Sequence, residues 1–328
     1  MTQDIALLVG GWSAERDVSL TKGRDVEAAL CEAGYGVRVV DVKRDLNALM
    51  DALSFGPYCV FNNLHGPWGE DGRIQSVLDI LDVPYTHSGV MASAMAMDKP
   101  MAKRVAKTVD IKVPDGRVVS AEDLAAGDVL PRPFVVKPVA EGSSVGVRIV
   151  EEGENFAPLR DEGWSYGDQV LVEAFVPGRE LTVAVLDGTP QAVTEIVSQT
   201  RFFDYEAKYA DTRTTYVLPA EIDSAVYDRA MAHAARIYET LGCRGLARVD
   251  FRWDDKQGEN GLYFLEINTQ PGLTPGSIGP AQATYNGYSF PGLCAHLIES
   301  AVAQWHNAHN KNNDQTQADP EQDSAKAS

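Results

Sequence analysis

Residues 134–147 read FVVKPVAEGSSVGV, a β-branched run carrying one lysine and running into a loop of small residues. Val and Phe bounded by Pro and Gly are strand signals, so this segment predicts a strand at 133–138, a tight loop at 142–146 and a second strand at 147–150. The loop EGSSVG can turn backbone N–H groups and hydroxyls toward an anion, with Lys137 just upstream as a point charge for phosphate. A plain hairpin turn would share the glycines but has no need of the Ser-Ser and Lys-Pro donors. Neither GxxxxGK[ST] nor GxGxxG occurs, which removes support for a P-loop ATPase and for an ordinary dinucleotide dehydrogenase.

Further along, LARVDF (246–251) and LYFLEINTQPG (262–272) flank the polar run DDKQGENG, a hairpin signal. Side chains alternate along a strand, so Arg248 and Asp250 share one face and Glu266 and Asn268 share one face. Three oxygen-bearing side chains on neighbouring strands suit Mg²⁺, which takes hard oxygen ligands and keeps positions for phosphate oxygens. The other reading is a solvated face with an ion pair to Arg248. The flanking runs read as buried, and charges rarely sit in a core strand without a partner such as a metal.

Toward the N-terminus, short apolar runs at 5–9, 37–42 and 58–62 alternate with helical patterns. Val26, Ala29, Leu30 and Ala33 recur at helical spacing before Gly34, and further helices are expected at 46–53 and 74–81. This order predicts a parallel sheet covered on both faces. Glu15, in SAERDVS between the first strand and its helix, would stand at the carboxyl edge where such sheets bind ligands, or serve as a carboxylate at the helix N-terminus. His65 lies on the same edge, either touching a ligand or making a structural hydrogen bond. Met91, Met95, Met97 and Met101 read as core filler at a domain joint. A small α+β module follows, with a strand at 169–173.

Strands at 180–186 and 192–197 lead into a long polar and aromatic loop, 198–219, with Lys208 and Tyr209. A loop of that length is usually a functional lid or disordered, and on composition alone these two residues read as a charged surface segment. Val226, Ala230, Ala234, Ile237 and Leu241 then mark a helix closed by Gly242. A final helix at 293–305 gives way to a polar tail, 307–328, expected to be disordered.

The chain has 328 residues, enough for two or three domains, and 44% of them are hydrophobic, which excludes a disordered chain. Its 29 Lys and Arg against 47 Asp and Glu leave a net charge of −18, which argues against a nucleic-acid partner. The first residues hold no apolar stretch long enough for a signal peptide or a membrane span, so a cytoplasmic protein is expected. Cys31, Cys59, Cys243 and Cys294 are scattered, as buried reduced thiols would be.

Taken together, eight stretches resemble the D-alanine–D-alanine ligase family of the ATP-grasp superfamily: GGWSAERDVSL, NLHGPWGEDGRIQ, MDKPMAK, FVVKPVAEGSSVGV, LVEAFVPGRELTVAVL, FFDYEAKYAD, RGLARVDF and FLEINTQPGLTPGS. They run from residue 5 to about 305 in the family's order. The resemblance implies a mixed α/β and α+β chain of three domains: an N-terminal open parallel-sheet, Rossmann-like domain at 1–98, an ATP-grasp lid at 99–179 and a catalytic ATP-grasp domain at 180–306. It implies ATP-dependent joining of two D-alanines through a D-alanyl phosphate, for peptidoglycan precursors, by a homodimer; a second substrate of D-lactate or D-serine is the alternative.

Carried over position by position, Lys99 and Lys137 would hold ATP phosphates beneath a closing loop that includes Glu141 and Ser144. Glu173, Phe175 and Val176 would line the adenine pocket, Glu180 would meet the ribose, and Asp250, Glu266 and Asn268 would bind two Mg²⁺ or Mn²⁺ ions. Glu15 would take the first D-alanine's amine within a triad with Ser143 and Tyr209, near His65. Arg248 and the Gly272 N–H would stabilise the oxyanion, and Lys208, Ser277 and Ile278 would hold the second D-alanine. Gln270 stands where other members often have Ser, and Tyr209 favours the dipeptide over an ester.

Overall fold

A computed structural model describes residues 2–142, 146–154, 164, 166–198 and 214–317, with side chains through residue 310. The phosphate-loop residues Ser143 and Ser144, most of the long loop including Lys208 and Tyr209, and residues 318–328 lie outside the described residues.

The N-terminal region alternates β1 (Asp4–Gly10), α1 (Arg16–Glu32), β2 (Gly36–Val42), α2 (Leu46–Leu53), β3 (Cys59–Asn62) and α3 (Arg73–Ile80). The strands form a parallel sheet in the order β2-β1-β3, as the alternation predicts. β1 is wholly apolar from Ile5 to Val9 because both its faces are covered.

The methionine-rich stretch forms α4 (Val90–Met97) and α5 (Lys99–Thr108). Asp98 caps α5 by accepting from the Met101 N–H at 2.9 Å, with Pro100 in the first turn, and this break between two helices sets Lys99 at the start of α5. Of the four methionines only Met95 packs against the core; Met97 lines the cleft described below, and Met91 and Met101 are exposed, so core filler describes one of four.

A four-stranded antiparallel sheet, order β4-β7-β5-β6, follows from β4 (Gly116–Ser120), β5 (Phe134–Pro138), β6 (Arg148–Val150) and β7 (Gln169–Ala174), with α6 (Ala121–Ala126) held by a Ser120–Asp123 capping box. The third sheet, order β10-β9-β8-β11-β12, comprises β8 (Arg179–Leu186), β9 (Thr189–Ser198), β10 (Thr214–Val217), β11 (Leu246–Trp253) and β12 (Leu262–Asn268). β10 falls inside the stretch read from sequence as loop. It is a four-residue edge strand whose pairing with β9, not any apolar periodicity, makes it a strand.

This sheet is two-faced. Val183, Val185, Val249, Phe251, Phe264 and Ile267 pack beneath α7 (Ser224–Leu241), while Ala184, Leu186 and Leu246 join the core of the N-terminal region. On that second face the apolar end meets β1 and the polar end, Thr182, Arg248 and Asp250, opens into a cleft. The β8–β9 register shifts around Ala184, and Gln282, fully buried in α8 (Ile278–Tyr285), repairs the gap. Its Oε1 accepts from the Ala184 N–H at 2.7 Å, and its Nε2 donates to Thr182 O and Thr194 Oγ1.

The last helix, α9, spans Phe290–Gln317, past the start of the tail expected from 307. Trp305 stacks on His309 with ring centroids 3.9 Å apart, and His309 Nε2 lies 2.7 Å from Asp82, so the polar extension is anchored to the turn after α3. All four cysteines are free thiols; Cys59, Cys243 and Cys294 are buried, and Cys31, against expectation, is exposed. No described helix is long and apolar enough to cross a membrane.

Replacing Gln282 with Leu should lower the free energy of unfolding by about 1–3 kcal/mol in chemical denaturation, because the Ala184 N–H is left buried and unpaired.

Candidate active site

Two cavities meet between the sheets. The larger, about 370 Å³, is walled on one side by Glu15, Lys22, His65 and Glu70 and on the other by Arg248, Asn268, Gly272, Ser277 and Ile278. The smaller, about 70 Å³, is lined by Val135, Lys137, Phe175, Val176, Glu180 and Asp250 among others. Lys99, Glu141 and Glu266 line both. Every described residue singled out from the sequence therefore borders one of these cavities.

The β11–β12 hairpin sets the junction. Arg248 pairs with Asn268 and Asp250 with Glu266 across the ladder, and the register shifts only after Asp250. Asp250 is held by the Arg248 guanidinium through two bonds of 2.8 Å and accepts from Thr182 Oγ1 at 2.6 Å. Lys99 Nζ lies 3.1 Å from Glu266 and donates to the Glu141 carbonyl at 2.5 Å. Among the described residues no three His, Cys, Asp or Glu side chains gather as a metal site. Two carboxylates and the Asn268 amide oxygen, each carboxylate already matched to a cation, nonetheless fit a hard dication sharing phosphate oxygens.

In the smaller cavity Glu173, almost fully buried, is clamped between Lys103 at 2.5 Å and Lys137. Burial pushes its carboxyl up, but the two ammonium groups outweigh that and hold it below the ordinary range. Burial drives Lys103 down to about 7. Arg252 donates to the Val176 and Gly178 carbonyls, which orders the apolar strip Phe175–Val176.

In the larger cavity Glu15 is the N-cap residue of α1, as the helix-terminus reading expects, but its side chain makes no cap hydrogen bond and its carboxylate lies against Gly66 and Gly142. His65 Nδ1 sits 3.0 Å from Glu70 Oε1, and its Nε2, also buried, has no hydrogen-bond partner among the described residues. The structural hydrogen bond expected of His65 is therefore present at Nδ1, and the residue also borders the larger cavity. Burial pushes Glu70 up to about 8 and His65 down. Gly272 lies beside the Lys22 ammonium and lines the cavity with bare backbone. Ser277 Oγ shares a 2.8 Å hydrogen bond with Thr274.

Sequence reasoning passed over Lys22, Glu70, Lys103, Tyr216 and Arg252, and noted Gln270 only as a departure from the family's pattern. Lys22 carried a signal, since Glu15, Ser19 and Lys22 recur at i, i+4 and i+7 on one face of α1. Glu70 and Gln270 sit on irregular loops, where no period exists to read.

A family model described as D-ala D-ala ligase C-terminus matches residues 114–299, more than half of the chain. The chain belongs to the D-alanine–D-alanine ligase family. It is 49% identical over 301 residues to a D-alanine–D-alanine ligase of Granulibacter bethesdensis, covering 92% of this chain and 98% of that one, and 48% identical to its counterpart in Gluconobacter oxydans, covering 92% and 99%. The D-alanine–D-alanine ligase of Bacillus anthracis, solved with ATP, superposes with a TM-score of 0.79 at 27% identity over 94% of this chain and 99% of that one. A D-Ala:D-Ser ligase of Enterococcus faecalis gives 0.74 at 26%, over 92% and 100%. The D-alanine–D-alanine ligase family's ATP-grasp architecture accounts for the paired antiparallel sheets around the cleft.

Glu70 gives this site a pH signature. Its folded pKa, about 8, lies above the 4.5 of a free carboxyl, so between those values the native state keeps a proton that the unfolded chain has released, and the contribution of Glu70 to stability falls as pH rises. Glu70→Gln should flatten that decline relative to the parent in thermal melts across the window; parallel slopes would assign the proton elsewhere.

Proposed function

We propose that this protein joins two D-alanines at the expense of ATP, forming D-alanyl-D-alanine through a D-alanyl phosphate for peptidoglycan precursors, as a cytoplasmic homodimer. The observation that carries the reading is the meeting of the two cavities at Lys99, Glu141 and Glu266, which lets a γ-phosphate in one reach a carboxylate in the other. With the three-domain division proposed at 98/99 and 179/180, one cavity would lie between the second and third units and the other against the first.

In this reading adenine lies on Phe175 and Val176 beside Glu173, the ribose meets Glu180, and Lys99, Lys137 and the loop with Glu141, Ser143 and Ser144 take the phosphates. Asp250, Glu266 and Asn268 hold two Mg²⁺ or Mn²⁺ ions, which supply charge neutralisation for the transferred phosphoryl group. Glu15, with Ser143 and Tyr209, orients the first D-alanine's amine beside His65, while Ser277, Ile278 and Lys208 hold the second amino acid. As the second amine attacks the acyl phosphate, negative charge grows on the carbonyl oxygen. Arg248 and the Gly272 N–H, aimed into the same cavity, stabilise it there.

Protein, ATP, Mg²⁺ and D-alanine should release phosphate and yield a dipeptide of the expected mass. Turnover only with another amino acid or hydroxy acid would overturn the substrate assignment and leave the fold intact. Arg248→Ala should cut turnover by about 10²–10³-fold while ATP affinity changes little; a collapse of nucleotide binding would make Arg248 a nucleotide residue instead.

A further inference from the structure

The two walls of the larger cavity come from distant parts of the chain. One is the loop after β3, which carries His65 and Glu70; the other is the segment after β12, which carries Asn268 and Gly272. Gln270, only 2% exposed, spans them. Its Nε2 donates to the Leu64 carbonyl, and its Oε1 accepts from Asn62 Nδ2 at 2.8 Å. Its own backbone N–H donates to Asn268 Oδ1 at 2.8 Å, which ties the side-chain bridge to the cavity wall.

Asn62 is the organiser on the other side. Its Oδ1 accepts from the Leu64 N–H at 3.2 Å, and its Nδ2 also donates to the Gly69 carbonyl at 3.0 Å, where Gln75 Nε2 donates as well at 2.9 Å. The turn that presents His65 and Glu70 is therefore laced to itself, then pinned to the opposite wall through one amide. Asn62, Leu64, Gly69, Gln75 and Gln270 are buried, so breaking a bond among them would strand a polar group away from water.

We propose that Gln270 is a specificity-determining residue: by fixing the separation of the His65 wall from the Gly272 wall, it sets how large a side chain the first amino-acid position accepts. Gln270 touches no substrate in this scheme and acts through the two walls. The inference rests on the ligase reading above. A pocket held to one width discriminates against an added methylene by roughly 10–200-fold, and loosening the span gives up part of that discrimination.

The test compares D-alanine with D-2-aminobutyrate in the parent, Gln270→Ala and Gln270→Asn proteins. The amino acids are supplied singly and as a mixture, with product sequence read by mass spectrometry. The expected result is a rise of about tenfold in the kcat/KM ratio of aminobutyrate to alanine for Gln270→Ala and a smaller rise for Gln270→Asn, whose shorter amide cannot span both partners. In mixed dipeptides the larger residue should enter the amino-terminal position. If both variants lose activity on the two substrates in equal proportion, or if the larger residue enters only the carboxyl-terminal position, Gln270 serves stability alone and the proposal falls. Should Gln270→Ala fail to fold, Gln270→Asn decides by the same ratio. A parent protein inert toward D-alanine and ATP would overturn the ligase reading itself, a result distinct from an unchanged ratio in active variants.

Discussion

The pairing of β11 with β12 is the constraint on which the remaining structure rests. With Arg248 opposite Asn268 and Asp250 opposite Glu266, these four polar side chains face the cleft, and Val249, Phe251, Phe264 and Ile267 face α7. A slip of one residue would reverse both faces together, placing a guanidinium and carboxylates against the largest apolar cluster. The register is secured on both sides: β8 pairs with β11 so that Thr182 meets Asp250, and the 3-10 turn Asp255–Gly261 closes the hairpin. The shift after Asp250 falls just beyond the last residue that must face the cleft.

Electrostatics follows from that geometry. A chain of net charge −18 gathers Lys99, Lys103, Lys137, Arg248 and Arg252 around two small cavities, and each of the three pairs and the one triad there carries its own carboxylate. Buried ion pairs gain little net stability, because desolvation offsets their attraction. Their value here is preorganisation: the cations stand where a polyanion's charge would arrive, and the carboxylates keep them folded in until then. An acidic chain can thus still present converging cations where a polyanion would bind.

Much of this was legible in the residues. The β-α alternation of the first eighty residues, the hairpin around DDKQGENG and the shared face of Arg248 with Asp250 all follow from periods of 3.6 or 2, which are local and survive without neighbours. Two of the features that escaped reading depend on partners. Thr214–Val217 is a strand only because β9 offers an edge, and the helix beyond Trp305 persists because His309 reaches Asp82. Glu15 could be read two ways until its carboxylate was found beside Gly66 and Gly142 and not on the α1 amides.

The sequence by itself determined the family, the class of fold and which residue types could serve a phosphate, a metal or an oxyanion, since motif spacing and alternation are properties of the chain alone. Only the tertiary structure decided how those residues share charge. Glu173 clamped by two lysines and Gln270 bridging two walls join positions far apart in sequence on elements with no common period. Their chemistry comes from burial and proximity, which exist only once the domains have packed.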